Sequence, residues 1–153
     1  MNTIYLVGQI SPKFPETYQW RKDAKKKLSH MDLKIIDPCD NIFNKTLLTE
    51  KKYAISEDRE FGLDVLVPKD LTFVLQSDIA IVNLNQYDPS KELIGSYCEL
   101  SWLYLNPQKT VIAYADNLNS YNCQHPFVQQ AVHTWCKNLD EVCYIIEKYF
   151  SGV

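Results

Sequence analysis

The chain predicts an α/β fold, a doubly wound, flavodoxin- or Rossmann-like parallel sheet of about five strands with helices on both faces. Three observations lead there. Short apolar, β-branched runs recur along the sequence, at Thr3-Ile4-Tyr5-Leu6-Val7, Leu33-Lys34-Ile35-Ile36, Ile79 to Leu84, Thr110-Val111-Ile112-Ala113-Tyr114 and, more briefly, Ala131-Val132-His133-Thr134-Trp135. Stretches with helical spacing of apolar residues separate them. The strand runs are apolar on both faces, as strands covered by helices on each side must be. A length of 153 residues suits one domain, 1–153, around a single core.

Taken in order, the first strand leaves through Gly8-Gln9, at the carboxyl edge where parallel sheets gather their ligand loops. This single glycine is too few for a dinucleotide fingerprint. No acidic pair follows the strand either, against a flavodoxin-like phosphoacceptor. Pro12 and Pro15 hold a loop, and from Glu16 a helix begins with Tyr18, Ala24 and Leu28 on its stripe and the lysines outside. The second strand stops at Asp37-Pro38. Residues 39–67 read equally as a short helix or as a mobile lid. Pro68-Lys69-Asp70 looks like a helix start, with an acid near the positive end, and Asp78 closes the turn into the third strand. A helix from about Ser96 to Leu105 ends at Asn106-Pro107, 116–125 is a polar loop, and the last helix covers Leu139 to Phe150. There are no repeats and no low-complexity tract.

Composition narrows the function classes. The net charge is −3, from 16 basic and 19 acidic residues. The cluster Arg21-Lys22 with Lys25-Lys26-Lys27 therefore reads as a solvated helix face rather than a nucleic-acid groove. No apolar run reaches the length of a membrane span, and no basic region followed by an apolar one marks a secretory signal. Five cysteines, at 39, 98, 123, 136 and 143, form no CxxC pair, and no histidine stands at ligand spacing. A metal site or disulfide framework is not indicated, and a reducing, cytoplasmic setting fits. Cys98 reads as a buried small residue, because no histidine nearby in sequence would activate it as a nucleophile.

The chemistry-bearing residues cluster between Asp70 and Trp102. Ser96-Tyr97-Cys98-Glu99 matches the S-x-x-E capping box, in which Glu99 would only satisfy the backbone N–H of Ser96. Asp70 in a first helical turn is by itself a dipole partner, and Tyr5 within a strand is by itself a core residue. Equally, Asp70 and Glu99 at one sheet edge form a pair of carboxylates able to do acid–base or nucleophilic work.

Taken together, Ile4-Tyr5-Leu6-Val7-Gly8, Asp70-Leu71 eight residues before Asp78, and Gly95-Ser96-x-x-Glu99-Leu100 resemble the nucleoside 2-deoxyribosyltransferase family and its relatives that hydrolyse nucleotide N-glycosidic bonds. The resemblance covers positions 3–10 and 68–114 most closely. It implies Glu99 as carboxylate nucleophile, Asp70 as the acid assisting departure of the base, and Tyr5 as the phenol that positions the glutamate. Gly8, Gln9, Asp88, Ser90, Gly95 and Ser96 would bind substrate, and no metal or cofactor is implied. The partners would be a nucleoside or nucleotide and a free base, with no nucleic acid and no membrane. The protein would be a homo-oligomer whose shared sites are completed by a neighbour's 116–127 loop. Six residues before the nucleophile the family carries a base-reading acid or, in phosphate-preferring hydrolases, a serine. Here that position is Leu93, which leaves Asp88, Ser90 or Glu92 for the role. Arg21 reads as a helix-surface arginine, with a 5′-phosphate contact as the other option. Transfer of deoxyribose between bases is the first expectation. Hydrolysis of a 2′-deoxynucleoside 5′-monophosphate is the second, and a noncatalytic nucleotide-binding domain the third.

Overall fold

A computed structural model describes residues 1–41, 44 and 63–151. Among these, five strands form one parallel sheet: β1 (Asn2–Gly8), β2 (Leu33–Ile36), β3 (Ile79–Asn83), β4 (Thr110–Tyr114) and β5 (Thr134–Cys136). Their order is β2-β1-β3-β4-β5, so the direction of winding reverses beside β1. The helices are α1 (Glu16–Lys27), α2 (Leu63–Gln76), α3 (Ile94–Tyr104), α4 (Tyr121–Gln124), α5 (Pro126–Ala131) and α6 (Leu139–Phe150).

The two-residue period of each strand divides the core into two layers. Ile4 and Leu6 of β1, with Ile79, Ile81 and Ile112, pack against Trp20, Ala24 and Leu28 of α1 and Val142 and Ile146 of α6. Tyr5 and Val7, with Ala80, Val82, Val111 and Ala113, pack against Val74, Leu100, Leu103, Val128 and Ala131 on the helices of the other face. The predicted doubly wound sheet is therefore present. Asp78 locks its centre: the carboxylate accepts from Thr3 N at 2.7 Å, while its own N–H donates to Thr3 O and its carbonyl accepts from Thr110 N.

Several boundaries differ from expectation. The Pro68-Lys69-Asp70 start is overturned: α2 already runs at Leu63, and Pro68 lies inside it. Asp70 is thus well past the first turn and is no dipole partner. The end of α2 is capped by Lys109, whose buried ammonium donates to Leu75 O and Ser77 O. The expected 116–125 loop contains α4, and the stretch that suggested a fifth strand begins as α5, with Ala131 closing the helix and β5 starting at Thr134. His133, just outside β5, still ties in: its Nδ1 accepts from Val111 N. The helix-or-lid alternatives for 39–67 fall largely outside the described residues. Pro38–Asp40 forms a 3-10 turn, in which Asp37 accepts from Cys39 N.

Cys98 is exposed, not buried as expected, because α3 turns Ser96, Leu100 and Leu103 inward. All five cysteines are free.

Candidate active site

Three elements on one face of the sheet bring Tyr5, Asp70 and Glu99 together. Tyr5 is an odd-numbered position of β1 and so projects to the same side as Val7. On α2, positions 66, 70, 73–74 and 77 repeat at helical spacing, which turns Asp70 inward with Val74. On α3 the inward stripe is 96, 99–100 and 103, and Glu99 shares it. Asp70 and Glu99 line a cavity of about 280 Å³ together with Gly8, Gln9, Arg21, Leu93, Gly95 and Ser96. It opens at the carboxyl edge beside β1 and β3, where the winding of the sheet reverses and ligands bind in such folds. The volume is at the small end for ligand sites.

The capping reading of Glu99 is overturned. Leu93 is the N-cap of α3 and offers no side-chain cap, while Tyr97 N donates to Leu93 O. Ser96 is the third residue of the helix and Glu99 lies in its second turn. Glu99 Oε2 is buried without a hydrogen-bond partner. Burial, reinforced by the charge of Asp70, lifts its carboxyl from the ordinary 4.5 to about 8; Tyr5, Arg21 and Lys69 oppose the rise. Burial also raises Asp70, against the pull of Lys69, whose Nζ lies 3.3 Å from Asp70 Oδ1 as an ion pair rather than an aligned hydrogen bond. The Tyr5 hydroxyl is a close electrostatic neighbour of Glu99 but completes no hydrogen bond of ordinary geometry. Burial and the two acids hold Tyr5 far above the usual phenol range, so it remains a potential donor at any working pH.

The remaining residues separate into wall and scaffold. Gly8 must be small, since a Cβ there would stand 3.0 Å from Trp20 Cζ2, whereas a Cβ on Gly95 would meet nothing within 4 Å. Gln9 contributes to the wall, but its amide is fully engaged: Nε2 donates to Asp88 O and Lys91 O, and Oε1 accepts from Asp88 N at 2.8 Å. Asp88 and Ser90 stand outside this cavity wall. Asp88 accepts from the Ser11 hydroxyl at 2.8 Å and from the Ser90 N–H and hydroxyl, and the two hydroxyls hold its carboxyl below the usual range. The Asp-Pro-Ser order at 88–90 is thus an Asx turn that shapes the loop. Of the three residues suggested in place of Leu93, it is Glu92 that reaches the wall.

Arg21, expected on the helix surface, is fully buried. Its guanidinium donates to Gly8 O at 2.8 Å, Gln9 O at 3.2 Å and Thr17 O, stacks 4.8 Å over Trp20, and lies 3.5 Å from Asp37 Oδ1. Lys25 Nζ holds the other Asp37 oxygen at 2.7 Å. A positional signal existed: 17, 20–21, 24 and 28 form the buried stripe of α1, and Arg21 falls on it while Lys22, Lys26 and Lys27 do not. Lys69 was likewise not singled out by the sequence. No group of His, Cys, Asp and Glu among the described residues could hold a metal ion, and no helix among them is long and apolar enough to cross a membrane.

Comparison with family models and with curated proteins by sequence gives no match. Solved structures do match. A 2-desoxiribosyltransferase from Leishmania mexicana superposes with a TM-score of 0.66 over 97% of this chain and 99% of its own, at 12% identity. A 2-deoxyribosyltransferase from Bacillus psychrosaccharolyticus gives 0.58 over 92% and 89%, at 20% identity. A CMP N-glycosidase from Clostridium botulinum gives 0.57 over 96% and 98%, at 14% identity. The chain thus has the fold that these 2-deoxyribosyltransferases share with a CMP N-glycosidase, the same group of proteins that its Tyr5, Asp70 and Glu99 motifs resemble.

Proposed function

We propose that the chain is an enzyme that breaks the N-glycosidic bond of a 2′-deoxynucleoside and passes the sugar to another base. The observation that carries this reading is the inward-facing, uncapped Glu99 beside Asp70 in a cavity at the reversal point of the sheet. In the first step a Glu99 carboxylate oxygen bonds to C1′ as the bond from C1′ to the base nitrogen breaks. The bonding pair leaves with the base, which takes the proton of Asp70, and a deoxyribosyl ester remains. In the second step the acceptor base bonds to C1′ and gives its N–H proton to Asp70, while the ester oxygen departs with its electrons and restores Glu99. Tyr5 keeps its phenolic proton and stands beside the Glu99 carboxylate as a donor available to it. Gly8, Gly95 and Ser96 form the wall against the sugar, and Gln9, Asp88 and Ser90 hold the loop around it.

A second reading, hydrolysis of a 2′-deoxynucleoside 5′-monophosphate with water in place of the acceptor base, has its own support. The first turn of α3 opens on the cavity with no side-chain cap, Ser96 is buried there on the cavity wall, and position 93 carries no acid. Free N–H groups at a helix start favour an anion.

Self-association belongs to the same reading. The face between α3 and α5 carries a groove of about 540 Å³, lined among the described residues by Tyr104, Leu105, Tyr121 and Phe127 and by no Asp, Glu, Lys or Arg. Phe127 is 83% exposed. An apolar patch holding both projections and a hollow suits a second copy of the chain. Sedimentation equilibrium is expected to give a dimer or larger assembly, and a monomer at micromolar concentration would remove this part of the reading.

Incubating the purified protein with deoxynucleosides and deoxynucleotides, with and without a second base, tests the function. A new nucleoside formed only with the acceptor is the expected product. Free base released without acceptor, above all from monophosphates, would shift the reading to hydrolysis. No product from any substrate would leave a noncatalytic nucleotide-binding domain.

A further inference from the structure

Two of the cations around the carboxylates, Arg21 and Lys69, stand in different situations. Arg21, reaching in from α1, is occupied: its guanidinium serves three backbone carbonyls and faces the Asp37 carboxylate, so most of its charge is answered outside the cavity. Lys69 comes from α2, one residue before Asp70. Adjacent helical residues do not ordinarily face each other, yet the Lys69 side chain turns back to put Nζ 3.3 Å from Asp70 Oδ1, with its ammonium 5.5 Å over the Phe73 ring. That ring packs against the same core layer as Tyr5 and Leu100. The Lys69 side chain is 27% exposed and that of Asp70, on the cavity wall, 19%, so water only partly screens the pair.

We propose that Lys69 is a positioning residue of this site: its ammonium, held against Asp70, offsets part of the repulsion between the two acids and so enlarges the share of Glu99 present as the reacting anion. The proposal rests on the reading of Glu99 and Asp70 as the reacting pair. Among the described residues, the groups that face them are Tyr5 from β1, Arg21 from α1, Lys69 from α2, and Lys91 and Glu92 from the loop before α3. Without Lys69, Asp70 and Glu99 would be two acids competing for one space, with the committed Arg21 and the loop residue Lys91 left, among the described residues, to offset them. Both carboxyls feel the lysine in the same direction, towards ionisation. A cation a few ångströms from partly buried acids moves their midpoints by about one pH unit.

The test is ¹³C NMR titration of the Asp70 and Glu99 carboxyls in the full chain, assigned with Asp70→Asn and Glu99→Gln, for wild type, Lys69→Met and Lys69→Arg. This readout needs no turnover. Lys69→Met is expected to raise both midpoints by about half a unit to one unit, and Lys69→Arg to restore them. The acidic limb of kcat/KM should move upward by the same amount in Lys69→Met, with kcat reduced more than KM is raised. Unmoved midpoints in Lys69→Met would overturn the proposal, even if the variant melts earlier, because a structural lysine would alter stability alone. Shifted midpoints with an unshifted kcat/KM limb would also overturn it. Absence of turnover in the wild-type protein would instead remove the enzymatic reading, a failure distinct from either of these.

Discussion

Glu99→Gln is expected to lower turnover by a factor of about 1,000 or more while making the protein harder to unfold at alkaline pH. Loss of rate follows from the proposed chemistry: an amide could not form the deoxyribosyl ester, and removing a nucleophile forfeits more than about 4 kcal/mol of transition-state stabilisation. The gain in stability follows from burial. Glu99 titrates at about 8 in the fold against an ordinary 4.5. Between those values the folded chain holds a proton that the unfolded chain releases, so this residue lowers stability progressively as pH rises through the window. At about 1.4 kcal/mol per pH unit the ceiling is roughly 5 kcal/mol, and water reaching the cavity wall reduces it to about 2. Melting temperatures of wild type and Glu99→Gln should therefore converge near pH 4.5 and separate towards pH 8, with the variant higher. Curves that run parallel would mean the carboxyl is ordinary and the site is not poised. Glutamine keeps the size and hydrogen-bonding capacity of the side chain, so a folded but inactive variant isolates the charge.

Arg21→Met carries the second large effect, on stability. The guanidinium is the donor to Gly8 O, Gln9 O and Thr17 O, and none of these is replaced by a thioether. Asp37 would keep the Cys39 N–H and Lys25 at 2.7 Å, the latter a partner 33% exposed. Removing one member of a buried charge network usually costs about 3–5 kcal/mol; the surviving Lys25 contact puts the expectation near 3. Arg21→Lys should recover only a small part, since one ammonium cannot span three carbonyls and a carboxylate. Urea denaturation with an unchanged m-value would measure it. A loss below about 1 kcal/mol would mean that water replaces the guanidinium beneath the cavity. The function would suffer through geometry, because Gly8 and Gln9 end β1 at the site and the Gln9 amide fastens the 88–91 loop.

The strands were the most legible part of the chain. Ile4 with Leu6 and Tyr5 with Val7 state by alternation alone that both faces of β1 are covered, and the structure divides them between its two core layers. The periodicity of α3 and α2 likewise contained the inward turn of Glu99 and Asp70. Local signals worked against it at both helix starts. Ser96-x-x-Glu99 has the spacing of a capping box, yet α3 begins at Ile94 because docking Leu100 and Leu103 on the sheet sets its register, and the cap is forgone. Pro68 looks like a first-turn proline, yet α2 already runs at Leu63.

Arg21 shows the limit of reading residue type. A guanidinium among lysines reads as surface, and its stripe position becomes decisive only when Gly8, Gln9, Thr17 and Asp37 converge on it from separate elements. Lys69 is similar, since nothing in Pro-Lys-Asp states that the lysine turns back onto its neighbour. By itself, then, the sequence determined the sheet, its two buried faces and the residues able to do chemistry, because periodicity and residue type are local. Tertiary structure alone decided which cation faces which carboxylate, that the Gln9 amide and the Asp88 carboxylate fasten the 88–91 loop, and that Glu99 is no cap. Those depend on distances between segments far apart in the chain, and burial, which turns an ordinary acid into a poised one, exists only once they meet.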